Sequence, residues 1–215
     1  MISIKNLSLK YTKEFYALCS VSMEVKDGEK IALLGEEMSG KTSLLRVLSK
    51  LEEYNEGEIY VKNISLKKID FKNDISMGYV PATPVFMEKK SVYENLKYVL
   101  KFSDLTEYEI ETKINDALLK FGLEKIRNEK VKNISLFDKY VISFIRLMFR
   151  KLELVLIDNI FDNVNEDEKN KLIEIAKTLF KENENITCLV AATDETVATQ
   201  LCDSSIKFSY GSIVK

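Results

Sequence analysis

Gly35-Glu36-Glu37-Met38-Ser39-Gly40-Lys41-Thr42 satisfies the pattern Gly-x4-Gly-Lys-Ser/Thr, and what flanks it decides the fold. Upstream, residues 31–34 form a continuous apolar run that ends at Gly35. Downstream of Lys41, Leu44, Leu45, Val47 and Leu48 recur at helical spacing. Strand, glycine-bounded loop and helix therefore follow one another, the context in which this motif holds phosphate. Its glycines let the backbone wrap closely, and successive N–H groups and the helix N-terminus face the anion. Lys41 adds a positive charge and the Thr42 hydroxyl completes a magnesium shell, so these residues with Ser43 are the candidate nucleotide site. ATP or GTP, with Mg2+, is the implied ligand. Two carboxylates inside such a loop are unusual; Glu36 and Glu37 are expected to face solvent and to weaken affinity by like-charge repulsion.

Working outward, apolar alternation over residues 2–9 and 21–25 predicts two early strands, separated from the run at 31–34 by a Lys-Asp-Gly-Glu turn. Residues 57–61 and 77–80 predict further strands, the second halted by Pro81 and Pro84. The periodicity then changes. Ser91 with Glu94 and Thr106 with Glu109 are capping boxes, and Ile110, Ile114 and Leu118 follow at helical spacing, so 91–150 reads as mostly helical. The last third alternates again: strands at 154–157 and 187–192, helices at 165–180 and 197–202, and short strands at 205–209 and 212–214. This order predicts an α/β fold of the P-loop NTPase type with a mainly parallel sheet flanked by helices and an N-terminal antiparallel β part. One domain is expected over 1–215, its core formed by 1–90 and 151–215 around a helical subdomain at 91–150.

Composition narrows the function. At 46% apolar and 31% charged residues, with a net charge of −2, the chain is globular in character and offers no basic stripe for nucleic acid. The longest apolar stretch, near 140–149, is about half a membrane span and is interrupted by Arg146. With no charged-then-apolar leader, and with Cys19, Cys188 and Cys202 odd in number and free of CxxC spacing, the expected compartment is a reducing cytoplasm. The absence of histidine removes the commonest general base and metal ligand.

Leu154-Val155-Leu156-Ile157-Asp158 is an apolar strand ending in a carboxylate, the form of a segment whose aspartate holds magnesium beside Thr42. The order of Tyr11, GEEMSGKT, GEIYV from Gly57, GYVP from Gly78, SVYENL from Ser91, FGLE from Phe121 and LVLID resembles the nucleotide-binding subunits of ATP-binding cassette (ABC) transporters over nearly the whole chain. The resemblance implies ATP and Mg2+ as cofactors, Tyr11 as the ring that stacks on adenine, and 91–150 as the part that touches membrane subunits. It implies as partners a membrane permease subunit and another ABC nucleotide-binding domain, identical or not. The expected location is the cytoplasmic face of the membrane, reached through the permease.

Departures from that pattern are as informative. Asn159 stands where the family has a glutamate that polarises the attacking water, and asparagine cannot take its proton. Loss of a general base typically costs ~10²- to 10⁴-fold in rate. Thr193 replaces a histidine at the end of the last long strand, and Ala82 replaces a glutamine after GYVP. The signature Leu-Ser-Gly-Gly-Gln appears as Ile134-Ser135-Leu136-Phe137-Asp138, with bulky residues where close backbone approach needs glycine. Read without the family, Ser135 to Asp138 is a helix cap with a carboxylate in the first turn, and Asn165 is the N-cap of the next helix. The expectation is ATP binding with hydrolysis weak or lost and no catalytic residue assigned. Two uses stay open: coupling ATP to transport through the permease, or serving as an ATP-sensing or structural subunit of a membrane complex. A soluble P-loop kinase is the third class, but its basic lid finds no clustered arginines beyond Arg146 and Arg150.

Overall fold

Alternating apolar and polar residues near the N-terminus build a four-stranded antiparallel sheet, and later apolar runs form the central strands, buried on both faces, of a six-stranded sheet. The computed structural model describes residues 1–12, 15–71, 73–101 and 103–214. Strands β1 (Ile2–Lys10) and β2 (Tyr16–Val25) pair antiparallel. After β3 (Lys30–Leu34) and helix α1 (Lys41–Leu48), β4 (Glu56–Val61) and β5 (Ile64–Ser65) complete the first sheet in the order β2-β1-β4-β5. Strand β6 (Met77–Val80) leads into α2 (Val92–Leu100), α3 (Glu107–Lys120) and α4 (Leu136–Met148). The chain then runs through β7 (Leu154–Asp158), α5 (Glu166–Glu182), β8 (Thr187–Ala192), α6 (Glu195–Leu201), β9 (Ser204–Ser209) and β10 (Ser212–Val214). The second sheet has the order β10-β9-β3-β8-β7-β6, parallel except for the β9–β10 hairpin. This is the P-loop NTPase fold expected above.

Period-2 alternation sorts the second sheet's side chains between two cores. Ala32, Leu34, Val155, Ile157, Val190 and Ala192 join the apolar side chains of α2 to α6 on one face. Ile31, Leu33, Leu154, Leu156, Leu189 and Ala191 join α1 and the antiparallel sheet on the other. Each such leucine or isoleucine, 0–4% exposed, contributes about 1.5–3 kcal/mol relative to an exposed position. Helix α4 buries seven residues between Tyr140 and Leu147, and its apolar side chains join the sheet face to α2 and α3 in one continuous cluster.

Local chemistry sets the helix starts. Ser91 and Glu94, and Thr106 and Glu109, form reciprocal capping boxes as predicted, and Asn165 with Glu168 makes a third. Helix α6 begins two residues earlier than the apolar spacing suggests because the Asp194 carboxylate caps it, accepting from Thr196 N–H at 2.7 Å. Strand β2 begins five residues before the predicted 21–25. Register shifts against β1 leave Ala17 and Leu18 both buried and Cys19 and Ser20 both exposed, which breaks the alternation that identifies a strand. The two-residue β5 is too short for any periodicity. No helix among the described residues is long and apolar enough to cross a membrane.

Candidate functional site

At the C-terminal edge of the parallel strands, the loop between β3 and α1 is braced from behind by β2 and the β9–β10 hairpin. Gly211 N–H donates to Ser39 O at 2.9 Å, and Cys19 N–H donates to Gly211 O at 2.8 Å. Gly40 sits at φ 107°, and a Cβ there would lie 2.7 Å from the Ala17 carbonyl oxygen, so only glycine lets the loop press this closely on β2. Gly40 is also the N-cap of α1, whose first amides open toward the loop. Glu36 and Glu37 are exposed, as their charge predicts.

Lys41 is 2% exposed and its ammonium lies folded into the loop, donating to Gly35 O at 2.5 Å, Glu36 O at 2.8 Å and Ser39 Oγ at 3.2 Å. Burial pushes its pKa below the ordinary lysine value; Asp162 and Asp158 oppose that shift. The Thr42 hydroxyl donates to Asp158 Oδ1 at 2.7 Å, and the Tyr79 hydroxyl donates to Asp158 Oδ2 at 3.0 Å. Both carboxylate oxygens are thus held. Burial pushes Asp158 above the usual aspartate pKa against these two bonds, and the same burial, beside the Asp158 charge, raises Tyr79. A hydroxyl and a buried carboxylate side by side are hard oxygen donors of the kind Mg2+ takes, and a neighbouring cation offsets the cost of the buried charge. The donor set of Thr42 and Asp158 therefore fits magnesium.

Tyr11, 49% exposed, lines a recess of about 180 Å3 with Phe15, Ala17, Asn159 and residues 38–43. Its hydroxyl is 3.2 Å from Ser43 Oγ, and its ring lies nearly parallel to Phe15, centroids 6.2 Å apart. Phe15 was not singled out by the sequence; an aromatic between polar residues in a strand connection carries no periodic signal.

The replaced positions are used locally. The Ser135 hydroxyl accepts from Asp138 N–H at 3.0 Å and donates to the Asp138 carboxylate at 2.7 Å, so both groups serve the start of α4. Leu136 projects to solvent while Phe137 packs on the core. Thr193 N–H donates to Asp162 Oδ2 at 3.0 Å. At position 82 the backbone is what matters: the buried Tyr140 hydroxyl donates to Ala82 O at 2.5 Å and accepts from Asn163 Nδ2 at 3.2 Å, while the same Nδ2 donates to Asn159 O at 3.0 Å. Tyr140 thereby ties α4 to the loops after β6 and β7. Sequence reasoning missed Tyr79 and Tyr140, whose partners Asp158 and Ala82 lie far along the chain, and Asn163, which links Tyr140 to the Asn159 carbonyl. Tyr140→Phe is expected to cost about 1–3 kcal/mol by leaving the Ala82 carbonyl without this donor, read as a lowered urea midpoint with an unchanged slope.

A family model described as ABC transporter matches residues 18–162. The methionine import ATP-binding protein MetN of Clostridioides difficile (strain 630) is 27% identical over 206 residues, covering 94% of this chain and 64% of that protein. The ABC transporter ATP-binding protein NatA of Bacillus subtilis (strain 168) is 26% identical over 219 residues, 100% of this chain and 88% of that protein. The chain spans 64%, 60% and 52% of the first three curated relatives it matches. Among solved structures, the ATP-binding cassette MJ0796 in a dimeric post-hydrolysis state with ADP and Pi has a TM-score of 0.87 at 22% identity, over 100% of this chain and 97% of that one. CbiO1 from Clostridium perfringens has a TM-score of 0.79 at 21% identity, over 100% of this chain and 86% of that one. These two likenesses are of fold.

Proposed function

The chain belongs to the ABC transporter family of ATP-binding subunits, and from that premise we propose that it binds Mg-ATP, couples it to a membrane permease subunit and hydrolyses it weakly or not at all. The observation that carries this reading is the pairing of an assembled Lys41, Thr42 and Asp158 cluster with an amide, not a carboxylate, at Asn159. Thr42 and Asp158 would hold Mg2+, which when bound would supply positive charge to offset that of the phosphates. The protein's own part is to present loop amides and the Lys41 ammonium to phosphate and the Thr42 and Asp158 oxygens to the cation, with Tyr11 and Phe15 offering ring faces to the base.

Within this proposal the chain sits at the cytoplasmic face of the membrane, dimerises with another nucleotide-binding domain, and uses 91–150 as the contact to the permease. Leu136, Phe137 and Asp138 would meet the partner's phosphates where glycine amides belong, so the weakness extends to both sites of a pair. The test is a joint measurement on the purified chain. Calorimetry is expected to give saturable heat with Mg-ATP while phosphate release stays at least about 10²-fold below that of an intact cassette. Zero heat, or release at the rate of an intact cassette, would sink the reading.

A further inference from the structure

We infer that Tyr79 is a positioning residue for magnesium: its hydroxyl holds the Asp158 carboxylate in the orientation that turns the Thr42 hydrogen away from the cation. The inference rests on the functional reading above and gives a role to a side chain that lies outside both phosphate motifs. Register explains how three distant residues meet. Strand β6 is the last of the six-stranded sheet and pairs parallel with β7, placing Tyr79 beside Leu156. Side chains two apart on a strand share a face, so Asp158 points the same way as Leu156, toward α1 and the antiparallel sheet. Tyr79 packs on that face, and α1 brings Thr42 to it.

Asp158 is 1% exposed, and among the described residues its carboxylate receives one hydrogen bond on each oxygen, from Thr42 at 2.7 Å and from Tyr79 at 3.0 Å. An ionised carboxylate has only acceptors, so both hydroxyls donate. With its single hydrogen committed to Asp158, the Thr42 oxygen is left to accept, from the Asn159 amide at 3.3 Å and from a cation. If the carboxylate turns, that hydrogen loses its acceptor and is free to point at the cation, where it opposes binding. Tyr79 prevents the turn. Its hydroxyl has no other hydrogen-bond partner among the described residues, and its ring is anchored against the core. Hydrogen-bond partners of a metal-holding carboxylate are typically worth about 10- to 100-fold in metal affinity. The lower figure applies here, because Asp158 and Tyr79 also line a cavity of about 490 Å3 with Ala82 and Arg146. Water from that cavity can replace a deleted hydroxyl as a donor, but it does not fix the carboxylate.

The test is calorimetry of ATP binding in saturating Mg2+ and in EDTA, the ratio of the two affinities measuring what the cation adds. The chains compared are the parent, Tyr79→Phe, Asp158→Ala and the double variant. Phenylalanine keeps the ring in the core, and a urea midpoint for each chain checks the fold. The expected result is a ratio about tenfold smaller in Tyr79→Phe than in the parent, with no further loss when Tyr79→Phe is added to Asp158→Ala, because the tyrosine acts only through that carboxylate. A merely structural tyrosine would lower the urea midpoint and both affinities alike, and keep the ratio. A ratio within about threefold of the parent's or above it, the same loss in the Asp158→Ala background, or a parent that gains nothing from Mg2+ overturns the inference alone. Absence of saturable binding by the parent in both conditions overturns the functional reading, and the inference with it.

Discussion

Lys41→Ala is expected to weaken Mg-ATP binding by about a hundredfold or more, measured by calorimetry at fixed Mg2+. The ammonium is almost wholly enclosed, and in the structure it is shared among two loop carbonyls and the Ser39 hydroxyl. Phosphate oxygens entering the loop exchange weak neutral acceptors for charged ones, and such charge-assisted bonds are each worth about 1.5–3 kcal/mol. Alanine removes that gain and also frees the Gly35 and Glu36 carbonyls, which now hold the loop in its curved form. Binding then loses both charge and preorganisation. Lys41→Met separates the two contributions, because it keeps a buried unbranched stem while deleting the charge. Affinity within about threefold of the parent in Lys41→Ala would mean that nucleotide is not gripped through this loop at all.

How much of this was readable in advance depends on the range of the interaction. The strand, loop and helix around Gly35 to Thr42 were legible because each signal is local. So were β7 and β8, whose uninterrupted apolar runs reflect burial on both faces of a parallel sheet. Capping at Ser91, Thr106 and Asn165 was legible because a cap and its reciprocal partner are three residues apart. The start of β2 was hidden by its register shifts against β1. Tyr79 was invisible as a site residue, since its partner Asp158 is 79 positions away and is met only when β6 and β7 pair in register with Val80 beside Ile157. Tyr140 bonds Ala82 across 58 positions, and nothing in an apolar helix stripe marks which hydroxyl will find a distant carbonyl. Thus the elements and the phosphate loop came from short-range pattern, whereas the supports of the site came from topology.

The same distinction bears on turnover. Asn159→Glu is expected to leave phosphate release within about tenfold of the parent, although an added general base alone can be worth ~10²- to 10⁴-fold where the rest of a site is intact. Three features stand in the way. Thr193 offers no imidazole, and its amide is committed to Asp162. The loop at Ala82 is tied to α4 through Tyr140, which also holds Asn163 and, through it, the Asn159 carbonyl, so a longer side chain at 159 must settle into a backbone already fixed for asparagine. Most of all, Ser135 and Asp138 satisfy one another at the start of α4, and the positions between them carry the bulky side chains of Leu136 and Phe137 in place of glycine, which under the proposed pairing keeps a facing phosphate from the backbone. A base can act only on water that is already placed against a stabilised phosphorus. The decisive comparison is single-turnover phosphate release for the parent and for Asn159→Glu, each alone and mixed with an intact cassette. Recovery of ordinary turnover in Asn159→Glu alone would show that one missing carboxylate, and not the combined loss at positions 136, 137, 138 and 193, had silenced the site.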